Sequence, residues 1–279
     1  MSYKKILTVQ DISCVGQCSL TVALPIISAC GVETAVLPSA VLSTHTAGFK
    51  GYTFRDLSDD MPDICAHWQK EGITFDAIYT GYLGSQKQIE YVKNIFGSVA
   101  NGNCVKVVDP AMADNGSLYP GFDIDFAKAM ASLCAEADYV IPNITEAAFM
   151  TGVEYKTEYD KDYIMSLINA LCEKGVKNLI ITGVSYDKAT TGVVVWENGE
   201  YNYYAHRRLE KGSHGTGDIY ASALTGALSR GKSAVDAARI AADFTLACME
   251  YTQKNYPEHT YGTCFEPMLC RLDGMISQG

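Results

Sequence analysis

Short apolar runs rich in β-branched residues, each bounded by polar or glycine turns, alternate along the chain with longer stretches of helical periodicity. Runs at 6–9, 75–79, 104–108, 139–141 and 179–182 predict buried strands, apolar throughout because both faces are covered. Between them, 17–30, 60–71, 86–98, 123–136 and 161–174 predict helices, and 217–230, 233–253 and 264–276 predict helices that close the chain. Pro25 falls inside the first helical pattern and is expected to kink or shorten it. Two runs at 190–196 and 199–206 break the alternation. They flank Glu197-Asn198-Gly199, and Asn-Gly favours a tight hairpin turn, so they predict an antiparallel pair. The order predicts an α/β fold with a mostly parallel sheet between two helical layers and an antiparallel hairpin at its edge. No linker rich in Pro, Gly or Ser divides it, so residues 1–279 are expected to form a single domain.

In open α/β sheets, ligands bind beyond the carboxyl ends of the strands. The polar residues that follow the predicted strands are therefore the ones to examine: Gln10-Asp11, Thr80-Gly81-Tyr82, Asp109-Pro110, Pro142-Asn143 and Thr182-Gly183. Each has a bland alternative as a cap or turn.

The most telling segment is Gly215-Thr216-Gly217-Asp218, which opens into the apolar run beginning at Ile219. The first amides of a helix lack intrahelical partners and sit at its positive end, so a glycine-framed helix start can hold an anion. Asp218 in such a place is costly unless it takes part in chemistry. There it can accept the proton of a hydroxyl that attacks a phosphate. Asn143-Ile144-Thr145-Glu146 also opens a helical pattern. Its residues suit a capping box, and Glu146 equally suits a crevice carboxylate that organises Mg²⁺ and its waters. Asp109, at the end of the 104–108 run, is the second acidic candidate for the metal, with an Asp-Pro turn as the alternative. Together these acidic positions and the glycine turn favour phosphoryl transfer. The chain has no G-x-x-x-x-G-K-[ST] segment, no protein-kinase signature and no dinucleotide fingerprint.

Composition narrows the partners. With a formal net charge of -10, the chain is unsuited to nucleic acid or to an anionic membrane surface. The 10 cysteines form no C-x-x-C pair, and free thiols in a reducing cytoplasm are the expected state. Neither a signal peptide nor a membrane-spanning run is expected.

From Lys5 to about Tyr251 the chain resembles the ribokinase-like superfamily, and within it the pyridoxal (pyridoxine, pyridoxamine) kinases. Gly215-Thr216-Gly217-Asp218 is similar to the superfamily's anion hole and base, and Asn143-x-x-Glu146 to its magnesium motif. Ser43-Thr44-His45-Thr46 and Thr80-Gly81-Tyr82-Leu83-Gly84-Ser85 are similar to segments lining the vitamin B6 pocket. Asp109-Pro110-Ala111-Met112 is similar to the family's D-P-V-M segment. The resemblance implies a ribokinase-like fold and ATP-dependent phosphorylation of the 5′-hydroxymethyl group of a B6 vitamer. It implies that Tyr82 flanks the pyridine ring, that His45 and Thr46 contact its substituents, and that Asp11 meets the ring nitrogen or 3-hydroxyl. Asp109, Asn143, Glu146 and Thr182 would face ATP and Mg²⁺. Arg207 and Lys211 are candidate phosphate clamps or lid residues, with solvated charge as the alternative. A homodimer is implied, and a monovalent cation such as K⁺ is left open. Related kinases often carry serine where Asp11 stands, and a carboxylate there is expected to favour pyridoxamine. The same chemistry on hydroxymethylpyrimidine is the alternative reading.

Overall fold

The structure is a computed structural model that describes residues 3–209 and 212–278. The chain begins with β1 (Lys5–Ser13), α1 (Leu20–Ala29), β2 (Glu33–Leu42) and the short β3 (Phe54–Asp56). It continues through α2 (Met61–Lys70), β4 (Phe75–Thr80), α3 (Gln86–Ser98), β5 (Ala100–Val108) and the small pair β6 (Ala113–Asp114) and β7 (Ser117–Leu118). Next come α4 (Ile124–Cys134), β8 (Tyr139–Val140), α5 (Ile144–Thr151), α6 (Lys161–Glu173) and β9 (Leu179–Val184). The hairpin β10 (Thr190–Glu197) and β11 (Glu200–Arg207) precedes α7 (Thr216–Ser229), α8 (Ala234–Asn255), a 3₁₀ turn (Glu266–Met268) and α9 (Leu269–Gln278).

Nine strands form one sheet in the order β11-β10-β9-β8-β5-β4-β1-β2-β3. From β9 through β2 all neighbours are parallel, while the β9–β10, β10–β11 and β2–β3 pairs at the two edges are antiparallel. The β10–β11 turn places Asn198 at φ 53° and Gly199 at φ 82°, the left-handed pair that a tight hairpin demands.

Alternate strand residues feed two cores. Leu7, Val9, Ile78, Val108 and Ile181 pack on one face with residues of α2 to α6, and Ile6, Ala77, Tyr79, Val107 and Ile180 on the other with α1, α7, α8 and α9. This alternation is the strand's period of two, with a helical layer on each side. α7 and α1 approach closely because Gly226 faces Cys30, where an added Cβ would lie 2.3 Å from Sγ.

Two sequence expectations need adjusting. α1 runs through Pro25 yet spans only Leu20–Ala29, since residues 17–19 belong to the site loop rather than to the helix. β2 is absent from the sequence reading because Pro38 interrupts its apolar run. Pro38 is tolerated where the β1–β2 pairing slips, between Gln10 and Ile12. All ten cysteines are free, with Cys30, Cys65, Cys134 and Cys248 buried and Cys14 and Cys270 exposed.

Candidate active site

The sheet order reverses between β1 and β4, so the loops leaving these strands diverge and open a crevice at their carboxyl ends. Asp11 lies at the slip in the β1–β2 pairing, an irregularity of the kind that re-aims a side chain. Its carboxylate is 4% exposed and accepts from Ser13 Oγ at 2.9 Å and Ser19 Oγ at 2.6 Å. Burial pushes its pKa up against these hydrogen bonds.

α7 opens the opposite wall. Gly215 has φ 76°, and a Cβ there would sit 1.9 Å from the carbonyl oxygen of Gln17, so the turn admits only glycine without a shift. Side chains cap α3, α4, α5, α6 and α8, whereas α1, α2 and α7 have no side-chain cap. A Cβ at Gly217 would meet nothing within 4 Å, so the space above this helix start is open. Uncapped amides, a positive helix end and open space suit an anion. Asp218 sits within it. It keeps partial access to the crevice although its carboxyl group is surrounded by protein, and burial raises its pKa to about 7. The Ser19 amide beside that carboxylate opposes the rise, and the nearby charge of Asp11 adds to it.

Asp109 and Glu146 complete the acidic group. Asp109 is 8% exposed, its Oδ1 accepting the Ala111 amide at 3.2 Å in a local turn. Burial, then the charges of Glu146 and Asp218, hold its pKa well above the usual carboxylate value. Glu146 and Asn143 form the expected capping box: the Glu146 amide donates to Asn143 Oδ1 at 2.9 Å, and the Asn143 amide to Glu146 Oε2 at 2.8 Å. The Met112 amide adds a bond to Glu146 Oε1 at 3.2 Å. Burial dominates nevertheless and pushes the Glu146 pKa to about 7. The capping role and the crevice position therefore coexist in one side chain. Thr182 joins this wall by its backbone, bridging to Asn143 and donating its amide to the Pro142 carbonyl at 2.9 Å.

On the β4 side, Tyr82 is half-buried, its ring 5.6 Å from that of Phe122, and Phe122 stacks on Phe126 at 4.0 Å. Burial, followed by the charge of Asp11, pushes the Tyr82 phenol to about 12, which places it in the same neighbourhood as Asp11. His45 is 4% exposed and its Nε2 lies 2.7 Å from the Tyr261 carbonyl oxygen, an acceptor, so Nε2 carries the proton. Its Nδ1 is buried without a partner. Thr46, next to it, is exposed.

Arg207 is turned to α8, where it pairs with Glu250 at 2.6 Å. Lys211 lies outside the described residues. Sequence reasoning missed Ser13 and Ser19, which hold Asp11, and Tyr119, whose phenol is pushed up by burial and then by Glu146, Asp114, Asp109 and Asp218. These residues carry no motif; only the fold brings them to the acidic group.

Buried carboxylates and an uncapped helix start at the carboxyl edge of a parallel sheet between two helical layers define a ribokinase-like small-molecule kinase. The profile of the phosphomethylpyrimidine kinase family matches residues 24–263, and the chain belongs to that family. It superposes on a candidate phosphomethylpyrimidine kinase from Bacteroides thetaiotaomicron with a TM-score of 0.93 and 36% identity, covering 98% of this chain and 95% of the other. An orthorhombic form of that protein was solved with pyridoxal. Pyridoxal kinase from Lactobacillus plantarum matches with a TM-score of 0.89 and 30% identity over 99% of each chain. Pyridoxal kinase from Dictyostelium discoideum is 27% identical over 80% of this chain and 77% of its own length.

Proposed function

We propose that the chain, acting as one kinase domain, transfers the γ-phosphoryl group of ATP to the 5′-hydroxymethyl group of a vitamin B6 vitamer. The observation that carries this reading is Asp218: a carboxylate with a pKa of about 7 placed inside an uncapped helix start. A base near neutral pH can take the alcohol's proton as the hydroxyl oxygen attacks phosphorus. The free amides at Gly215, Thr216 and Gly217 stabilise the charge that accumulates on the phosphoryl oxygens. Tyr82 supplies an aromatic platform for a heteroaromatic ring, and Asp11, His45 and Thr46 supply polar contacts at its edge. Asn143 and Thr182 face the nucleotide with Asp109 and Glu146, and Arg207 and Lys211 are the proposed phosphate contacts, Arg207 exchanging its Glu250 partner for the triphosphate.

The donor set fits Mg²⁺. Asp109 and Glu146 are buried carboxylates whose charges oppose one another, and oxygen ligands are those that Mg²⁺ takes. These two residues would hold the ion, Glu146 through water because its oxygens already accept backbone amides, and the ion would neutralise triphosphate charge. No helix among the described residues is long and apolar enough to cross a membrane. A cytoplasmic homodimer remains part of the proposal, and K⁺ dependence is tested by cation exchange.

Replacing Asp218 with Asn is expected to lower kcat by about 10²–10⁴-fold while ATP binding persists. Near-normal turnover would remove Asp218 as the base. The second reading, hydroxymethylpyrimidine as acceptor, is favoured by the family match itself. Side-by-side turnover of the two acceptors decides between them.

A further inference from the structure

Ser19 precedes α1 in a backbone conformation of φ 55°, ψ -133°. Among the described residues, the non-glycine positions with positive φ are Ser19, Asn115 and Asn198. Both asparagines occupy hairpin turns, β6–β7 and β10–β11, where the left-handed region is the ordinary solution. Ser19 lies in no hairpin turn, so its conformation is strained without a local reason. A serine before a helix ordinarily caps it with its own hydroxyl. Ser19 does start α1, since its carbonyl accepts from the Val22 amide at 3.0 Å and the Ala23 amide at 2.9 Å, but its side chain makes no cap.

Both departures are explained by where its two donors go. Ser19 Oγ donates to Asp11 Oδ1 at 2.6 Å, and the Ser19 amide faces the Asp218 carboxylate and lowers its pKa. The residue is 6% exposed, so its bond to Asp11 does not compete with bulk water. A backbone outlier whose hydroxyl bonds one site carboxylate and whose amide faces another is the pattern in which strain serves positioning.

We infer that Ser19 is a positioning residue that ties Asp11, on the substrate side, to Asp218, on the phosphoryl-transfer side, and holds both carboxylates in register. The inference rests on the reading of Asp218 as base and Asp11 as acceptor contact. Ser19 touches no reacting atom; it acts through these two residues.

The test separates positioning from stability. Ser19→Gly relieves the strained φ, because glycine adopts that region freely, and deletes the tie to Asp11. Its expected signature is a Tm equal to or above wild type, a kcat at least about tenfold lower, and an unchanged KM for ATP. Ser19→Ala deletes the same hydroxyl, and both variants are expected to raise KM for the vitamer, since Asp11 loses a donor. A kcat within about twofold of wild type in Ser19→Gly, or a kcat loss accompanied by a lower Tm, overturns the inference. An unchanged vitamer KM in Ser19→Ala overturns its Asp11 half. Wild-type turnover of pyridoxal tests the underlying functional reading separately, and the variant-to-wild-type ratios are taken on whichever acceptor the wild type turns over.

Discussion

Asp218 carries opposite consequences for activity and for stability. Its carboxyl pKa rises from the ordinary 3.8 to about 7 on folding, so between those values the folded chain holds a proton that the unfolded chain has released. Stability from this group therefore falls as pH rises through that window, and the cost is complete above about pH 7. Catalysis requires the ionised form, so kcat is expected to rise with pH through about 7 in a pH–rate profile. Asp218→Asn removes the ionisation cost. The variant should be more stable than wild type at about pH 8, with the difference shrinking as pH falls toward about 4. Thermal melts at both pH values check this, and a variant less stable at the higher pH contradicts it. Asp11 is the proposed contact at the acceptor end. If its carboxylate favours a cationic substituent, Asp11→Ser lowers kcat/KM for pyridoxamine relative to pyridoxal, and unchanged vitamer ratios exclude that role. The residues with motifs, Asp218, Glu146 and Asp109, were legible in the sequence because chemistry restricts which residue types can follow a strand or open a helix. Ser19 was not, because its role lies in a backbone conformation and in partners on β1 and α7.

At the scale of elements, the start of α7 depends on a glycine for two separate reasons, its φ of 76° and the 1.9 Å approach that a Cβ would make to Gln17. Gly215→Ala is expected to cost more than about 1 kcal/mol in denaturant unfolding and to displace the amides proposed to bind the phosphoryl group. Asn143→Ala removes one half of the α5 capping box and is expected to cost about 1 kcal/mol by the same measurement. A loss of activity in Asn143→Ala beyond its stability loss would show that the box also orients Glu146. The elements themselves were largely readable. Both the parallel strands and the β10–β11 hairpin follow from period and turn chemistry, since Asn198-Gly199 permits the left-handed pair that the turn needs. β2 was hidden by Pro38. The small β6–β7 pair has two residues in each strand, too few for any periodicity to register.

Across the whole molecule, the sheet order is what turns scattered residues into a site. Asp11 leaves β1, Tyr82 follows β4, Asp109 follows β5, Glu146 rides on α5 and Asp218 on α7, and the reversal between β1 and β4 gives them a common crevice. The alternation of strands and helices made the fold class readable, but strand order is a property of long-range pairing that no local pattern encodes. The proposed homodimer predicts sedimentation at twice the chain mass, and a monomer at working concentrations contradicts it. The central claim is tested most directly by supplying the purified chain with ATP and Mg²⁺ and measuring the phosphorylated product formed from pyridoxal, pyridoxine, pyridoxamine and hydroxymethylpyrimidine in parallel. The account predicts 5′-phosphorylated B6 product in step with ADP release, at a higher kcat/KM than for the pyrimidine. ADP release without phosphorylated vitamer, or a preference for the pyrimidine, would contradict it.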